Sequence, residues 1–378
     1  MRVDFNVPHT SQGEISNDRR LRGALSTIQN LLKAGCAVIA MSHFGRPKGD
    51  PLKDQPFTMD RIAKRLGELL GIKVQKANDS AGQHAANLAS NLRPGEVLLL
   101  ENLRFDKGEQ GGCPVYAGKI AALGDVYVND AFGTCHRKDA SMVAVPEAMK
   151  DKPRVVGTLV AKELDILNTL LSHPGRPFVA LLGGGKVSDK IGFIKALLNQ
   201  VDKILVGGAM TYTFLKAQGV GIGASRCEAD KLEVARELLS LGKGKVELPE
   251  DHLVVSALDA PHTSKVIEGD IPEGWIGVDI GPKTIARYQT IIAEAKTIVW
   301  NGPMGKFEDK PYSQGTLKIA LAMAKSQATT VVGGGETAEA VEAFGLDEKM
   351  SHVSTGGGAF LEYVEGTPFA ALAQIEDK

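Results

Sequence analysis

The first half of this 378-residue sequence carries five cationic side chains placed where they could meet one anion: Arg20, His43, Arg46, Arg104 and Arg137. Each reads as lying beside a turn or the end of an apolar run. His43 and Arg46 belong to Ser42-His43-Phe44-Gly45-Arg46-Pro47, Arg104 follows the run Val97 to Leu100, and Arg137 closes the segment that opens at Asp130. A guanidinium fork binds carboxylate or phosphate two oxygens at a time. One such arginine is an ordinary solvated residue. The repeated placement predicts convergence, because strand ends in an α/β sheet share one edge.

The second half is marked by glycine instead. Runs stand at Gly183 to Gly185, Gly207-Gly208, Gly333 to Gly335 and Gly356 to Gly358, each after a short apolar run and before a helical stretch. A glycine there removes the Cβ where a ligand must come close. The helix that follows aims free N–H groups and a positive dipole end at that space. A single run also reads as a tight turn without ligand; four together describe a platform for a phosphate chain and its nucleoside. Lys186 and Lys190, four apart at the expected start of a helix, oppose the dipole and make sense beside an anion. Glu336 would repel bound phosphates unless Mg²⁺ bridges them, since that ion takes one or two carboxylates plus phosphate oxygens. Walker A fails because Val187 follows Lys186, and Gly219-Val220-Gly221-Ile222-Gly223 breaks the G-x-G-x-x-G spacing.

The elements that must position these groups alternate along the chain. Strands are expected at Ala37 to Ser42, Val97 to Leu100, Val126 to Asn129, Phe178 to Leu182 and Ile204 to Val206. Others are expected at Leu253 to Ser256, Thr297 to Trp300, Thr330 to Val332 and His352 to Ser354. As continuous apolar runs they read as parallel strands covered on both faces. Helical periodicity marks Arg61 to Leu70, Lys190 to Asn199, Lys231 to Leu241 and Leu317 to Lys325. This is an α/β pattern, and the length suits two domains. The periodic stretch Leu159 to Leu171, closed by Ser172-His173-Pro174-Gly175-Arg176-Pro177, is the natural connector.

Lys+Arg 44 against Asp+Glu 45 leaves a net charge of −1. No overall field holds a nucleic-acid backbone, so any anion site is local. No apolar window reaches membrane-spanning length, and Arg2-Val3-Asp4-Phe5-Asn6-Val7-Pro8 lacks the apolar stretch of a signal peptide. A cytoplasmic protein that engages neither nucleic acid nor membrane is expected. Cys36, Cys113, Cys135 and Cys227 form no CxxC pair and read as free thiols.

At these residues the sequence resembles the phosphoglycerate kinases over essentially its whole length. The resemblance lies in Arg2 to Pro8, Ser42 to Pro47, Glu101 to Phe105 and Asp125 to Arg137. In the second half it lies in Leu182 to Ile191, Trp300-Asn301-Gly302-Pro303-Met304-Gly305, Gly333 to Thr337 and Ser354 to Gly358. It implies two Rossmann-like domains, each a parallel sheet flanked by helices: residues 1–155 for the acid substrate and 175–362 for the nucleotide. Residues 156–174 would form the interdomain helix, and 363–378 would pack back on the first domain. It further implies a monomer that moves phosphoryl reversibly between ATP and the carboxylate of 3-phosphoglycerate, with Mg²⁺, in glycolysis and gluconeogenesis.

Carried onto this sequence, the resemblance gives Asp4, Asn6, Arg20, His43, Arg46, Arg104 and Arg137 to the phosphoglycerate. Lys186, Lys190 and Gly334-Gly335-Glu336-Thr337 would take the nucleotide phosphates, with Glu336, where the family usually has Asp, reaching the metal. Gly207, Gly208, Gly277, Val278 and Pro303 would line the adenine pocket, with Asn301 near the phosphates and Glu308 near the ribose. A carboxylate nucleophile is already ionised at neutral pH, so catalysis would rest on alignment and charge neutralisation. Arg20, Lys190 and the backbone around Gly335 are the groups expected to supply it, after closure of the domains. Family members usually carry residues ahead of the Arg2 to Pro8 motif. The alternative is therefore an N-terminally truncated, poorly active member of the same fold, its first sheet weakened around Asp4 and Asn6.

Overall fold

A computed structural model describes residues 1–50 and 52–376. By its contacts the chain divides into a first unit, Met1–Asp165 with the segment from Pro368 onward, and a second, Ile166–Thr367. The dividing point falls inside the long helix read as the connector. Of the expected 363–378 segment, Asp377 and Lys378 lie outside the described residues. Among the described residues no helix is long and apolar enough to cross a membrane.

The first unit runs β1 (Arg2–Val3), α1 (Arg19–Lys33), β2 (Val38–Ala40), α2 (Asp60–Leu70), β3 (Val74–Lys76), α3 (Gln83–Asn91) and β4 (Val97–Leu99). It continues with α4 (Lys107–Gln110), α5 (Pro114–Ala121), β5 (Tyr127–Asp130), α6 (Ala144–Ala148) and β6 (Arg154–Val156), and α7 (Thr158–Ser172) spans the dividing point. Its strands pair in parallel in two ladders, β2-β4-β3 and β1-β5-β6. An isolated bridge between Arg2 and Met41, with Val3 N–H donating to Met41 O at 3.1 Å, seams the ladders together. β1 is short, yet the chain beyond it is firmly held. Phe5 N–H donates to Ser42 Oγ at 2.8 Å, and Asn6 Oδ1 accepts from Gly45 N–H at 2.8 Å. The expected weakening around Asp4 and Asn6 is not what the fold shows, because side-chain bonds hold the chain where the ladder stops.

Both faces of this sheet are buried, as the apolar runs require. Val97 and Leu99 of β4 pack with Leu21 and Ile28 of α1, while Leu98 and Leu100 pack with Tyr116 and Ile120 of α5. Alternate residues of one strand thus serve opposite layers. β3 and β6 were not expected: each is three residues long and half-buried, and each contains a charged residue.

The second unit runs β7 (Phe178–Leu182), α8 (Ile191–Leu198), β8 (Lys203–Val206), α9 (Met210–Ala217), α10 (Leu232–Leu241) and β9 (Val246–Glu247). Then come β10 (Asp251–Val255), β11 (Lys265–Glu268), β12 (Ile276–Ile280), α11 (Pro282–Glu294), β13 (Thr297–Asn301) and α12 (Gln314–Lys325). The unit closes with β14 (Thr329–Gly333), α13 (Gly335–Ala343), β15 (His352–Val353) and α14 (Gly357–Val364). The main sheet is parallel in the order β15-β14-β13-β7-β8-β9. This is the doubly wound order in which the winding reverses between the first and fourth strands, here β7 and β13, and such sheets bind ligands at that reversal. Leu253 to Ser256, expected as a parallel strand, instead falls largely in β10, the centre of an antiparallel sheet β11-β10-β12. The sequence conceals this sheet because β11 begins at Lys265 and ends at Glu268, and Gly277 and Asp279 interrupt the apolar run of β12.

At the reversal the turns after β7 and β13 touch: a Cβ on Gly183 would lie 2.0 Å from Pro303 O. Gly183→Ala should destabilise the chain by about 2 kcal/mol through overpacking, read as a lowered melting temperature. Gly118→Ala, on α5 with no atom within 4 Å of the added methyl, should be neutral or stabilise by up to about 1 kcal/mol. Equal shifts for the two would contradict the close approach.

Candidate active site

The carboxyl ends of β1, β2, β4 and β5 release the segments that carry Asp4 and Asn6, His43 and Arg46, Arg104, and Arg137. Arg20 departs from the expected placement. It sits in the first turn of α1, not at a strand end, and reaches Asp4 Oδ2 at 2.8 Å. Mutual electrostatics show that the others converge. Burial lowers the Arg104 pKa first, and Arg137, Arg2 and Arg46 lower it further against the opposing pull of Asp139. Burial and Arg2 hold His43 well below the usual imidazole range, Arg104 and Arg137 add to the effect, and Asp4 opposes it. Burial alone would raise Asp4, but Arg20, His43 and Arg2 keep its carboxyl below the usual range.

Neutral oxygens, more than carboxylates, hold these cations. Arg104 Nη1 donates to Gly45 O at 2.7 Å, and its Nε is buried without a partner. Asn102 orders the loop beneath: its Oδ1 accepts from Phe44 N–H at 3.0 Å and Arg104 N–H at 3.1 Å. Arg2, fully buried, donates through Nε to Ser141 Oγ at 2.8 Å and through Nη2 to His43 Nδ1 at 3.0 Å. A guanidinium can only donate. His43 Nδ1 is therefore the acceptor, and the neutral ring carries its proton on Nε2, which is buried with no partner. Sequence reasoning missed Arg2, Ser141 and Glu109, whose carboxylate accepts from Ser141 N–H at 2.9 Å. These residues are distant in sequence and meet only through the fold.

In the second unit a cleft of about 330 Å³ opens at the reversal point, lined among others by Gly208, Gly277, Val278, Pro303, Glu308 and Glu336. Gly277 admits Tyr212, whose hydroxyl would lie 2.0 Å from an added Cβ. Gly207 and Asn301 do not line this cleft. Gly207 packs on Met304, whose Sδ would be 2.6 Å from a Cβ, and Asn301 is buried beneath the turn, giving Nδ2 to Gly333 O at 3.0 Å.

A second cleft of about 270 Å³ is lined by Gly184, Gly185, Lys186, Asp189, Lys190, Arg226 and Glu336. The helix behind it, α8, starts at Ile191 after a 3₁₀ turn over Ser188–Lys190. Lys186 therefore stands in the loop, and Lys190 at the N-cap, rather than both on the helix. Lys190 Nζ donates to Asn301 Oδ1. Burial lowers its pKa to about 8, against the opposing pull of Glu336 and Asp189. Gly334, at φ +96°, leads into α13, where Gly335 has open space about it and Thr337 Oγ1 accepts from Gly302 N–H at 2.6 Å. Among the described residues no group of three or more His, Cys, Asp or Glu gathers as a cage. Lone carboxylates beside lysines suit Mg²⁺ carried on phosphates. Arg226 was not anticipated, because it lies in a loop with no strand before it.

One unit with cations held free at its strand ends, and another with a glycine-lined cleft beside two lysines, define a phosphotransferase for an anionic acceptor. The family model for phosphoglycerate kinase matches residues 1–367. The chain is 52% identical over 380 residues to the phosphoglycerate kinase of Rhodopirellula baltica, covering 100% of this chain and 96% of that one. It is 50% identical over 382 residues to that of Anaeromyxobacter dehalogenans strain 2CP-1, with the same coverage. Among solved structures, phosphoglycerate kinase from Coxiella burnetii matches with a TM-score of 0.85 and 39% identity, over 99% of this chain and 94% of that one. The Pyrococcus horikoshii enzyme matches with a TM-score of 0.88 and 30% identity, over the same shares. The chain belongs to the phosphoglycerate kinase family, and it is a kinase.

A lysine attracts phosphate only as the ammonium. With a Lys190 pKa of about 8 in the free chain, ATP affinity should fall as pH rises through that value. Glu336→Gln removes a carboxylate that raises this pKa and should move the fall to lower pH. Calorimetric titrations between about pH 6.5 and 9.5 check this; a flat profile would contradict it.

Proposed function

We propose that the chain transfers phosphoryl reversibly between ATP and the carboxylate of 3-phosphoglycerate, giving 1,3-bisphosphoglycerate and ADP, as a cytoplasmic monomer. The observation that carries the reading of the acid site is the set His43, Arg46, Arg104 and Arg137, with buried donors left unmatched at His43 Nε2 and Arg104 Nε. A buried donor without a partner costs about 1–3 kcal/mol, a cost that an anionic ligand removes. Asn6 and Asp4 act through their neighbours: Asn6 fixes Gly45, and Asp4 holds Arg20.

In the nucleotide unit, Gly208, Gly277, Val278 and Pro303 form the base pocket, with Glu308 on the ribose side. Lys186, Lys190 and the amides opening α13, from Gly334 to Thr337, take the phosphates. Gly207 and Asn301 serve from behind, as packing space and as the tether of Lys190. Mg²⁺ held by Glu336 and phosphate oxygens would draw charge from the transferring group. A carboxylate oxygen of the acid forms the new bond to the γ-phosphorus as the bridging bond to ADP breaks. No proton moves, and no base is required. Arg20 from the acid side, with Lys190 and Gly335 N–H from the nucleotide side, neutralises the phosphoryl oxygens in flight.

The test is ATP-dependent formation of acyl phosphate from 3-phosphoglycerate, trapped with hydroxylamine. Two variants probe the acid site. His43→Gln places an amide where Nε2 stood and should hold KM for 3-phosphoglycerate within about threefold, whereas His43→Asn should raise it on the order of tenfold or more. Absence of hydroxamate, or equal KM values in the two variants, would contradict the assignment.

A further inference from the structure

We propose that Arg226 is a nucleotide-binding residue of this chain, gripping the α- and β-phosphates where the base cleft meets the lysine cleft. The inference rests on the reading of these clefts as the nucleotide site. Arg226 lines both of them. Its guanidinium lies close over the glycine turn after β7, with Nη1 3.1 Å from where a Cβ on Gly185 would stand. Among the described residues that guanidinium has no hydrogen bond or ion pair.

The loop that carries Arg226 is anchored on both sides. Ser225 Oγ accepts from Gly277 N–H at 2.9 Å, tying it to the wall of the base cleft. Ala224 N–H donates to Trp275 O at 2.8 Å on the same side. Glu228 ties it to the lysine turn: Oε2 accepts from Val187 N–H at 2.6 Å and Ser188 N–H at 3.2 Å. Glu228 N–H in turn donates to Thr213 Oγ1 at 3.1 Å. Arg226 is exposed at this junction, so its charge is free to meet a ligand that enters either cleft. Its fork fits phosphate oxygens bidentately. The junction of a base cleft and a lysine cleft is where the proximal phosphates of ADP and ATP must both pass.

Calorimetric titration of wild type, Arg226→Leu and Arg226→Lys with ADP, ATP and adenosine tests the assignment. Arg226→Leu should weaken ADP and ATP by the same factor, on the order of tenfold, and leave adenosine unchanged; Arg226→Lys should recover part of the loss. The melting temperature of the free chain should hold, because the guanidinium has no partner there. Arg226→Gln, uncharged and polar, should reproduce the loss and guards against a folding defect in the leucine variant. Unchanged ADP affinity in Arg226→Leu would overturn the proposal, as would an equal loss for adenosine, which would mark a change of pocket shape. A wild-type chain that bound no ADP would overturn the nucleotide reading itself, and the proposal with it.

Discussion

A cation that pairs with a carboxylate of its own chain, as Arg20 does with Asp4, gives up part of its pull on an anionic substrate. The structure answers this constraint by fixing cations with neutral oxygens. Arg104 is tied to the carbonyl of Gly45, Arg2 to the hydroxyl of Ser141 and a ring nitrogen of His43, and Lys190 to the amide oxygen of Asn301. Each tether sets direction without cancelling charge. Burial, with Arg137, Arg2 and Arg46 nearby, consequently disfavours the charge of Arg104 in the free chain. The fold must carry that strain until a ligand arrives, and it does so by burying the strand ends that bear them. His43 is the counterpart: kept neutral by burial and by Arg2, Arg104 and Arg137, it offers a donor without adding to the positive charge.

The second unit meets the constraint differently. Its lysine cleft mixes Lys186, Lys190 and Arg226 with Asp189 and Glu336, and glycine turns bring backbone close beside them. This requires backbones to approach within distances that a side chain forbids, as at Gly183 against Pro303, Gly208 against Gly184 and Gly302 against Gly183. The turns after β7 and β13 meet because these strands are neighbours at the winding reversal. Thr337 then fastens the amides of α13 to the same point through Gly302. Glu336 and Asp189 raise the Lys190 pKa that burial depresses.

Much of this was legible in the sequence where chemistry is local. The glycine runs follow strands, His43, Arg104 and Arg137 follow theirs, and Phe178–Leu182 is a buried strand over the full expected span. What was hidden is non-local. Arg20 looked like one more strand-end cation, but its helix position matters because Asp4 reaches it from β1. Arg2, Ser141 and Glu109 carry no periodicity and become a unit only when β1 is laid beside β5. The antiparallel sheet escaped notice because Gly277 and Asp279 disrupt its apolar run, although Gly277 is needed there for Tyr212. Gly207 and Asn301 were singled out from their motifs, yet motifs do not reveal depth; neither lines the cleft, and both sit behind it.

If Arg46, Arg104 and Arg137, which among the described residues pair with no carboxylate, face the acid substrate, binding of 3-phosphoglycerate must be strongly electrostatic. Calorimetry on the wild-type chain across a salt series measures this directly. The affinity should fall more than tenfold between about 0.05 and 0.5 M monovalent salt, as several unpaired cations meeting one polyanion require. An affinity that changes less than about twofold over that range would mean the cations are already matched within the chain, and would contradict the account.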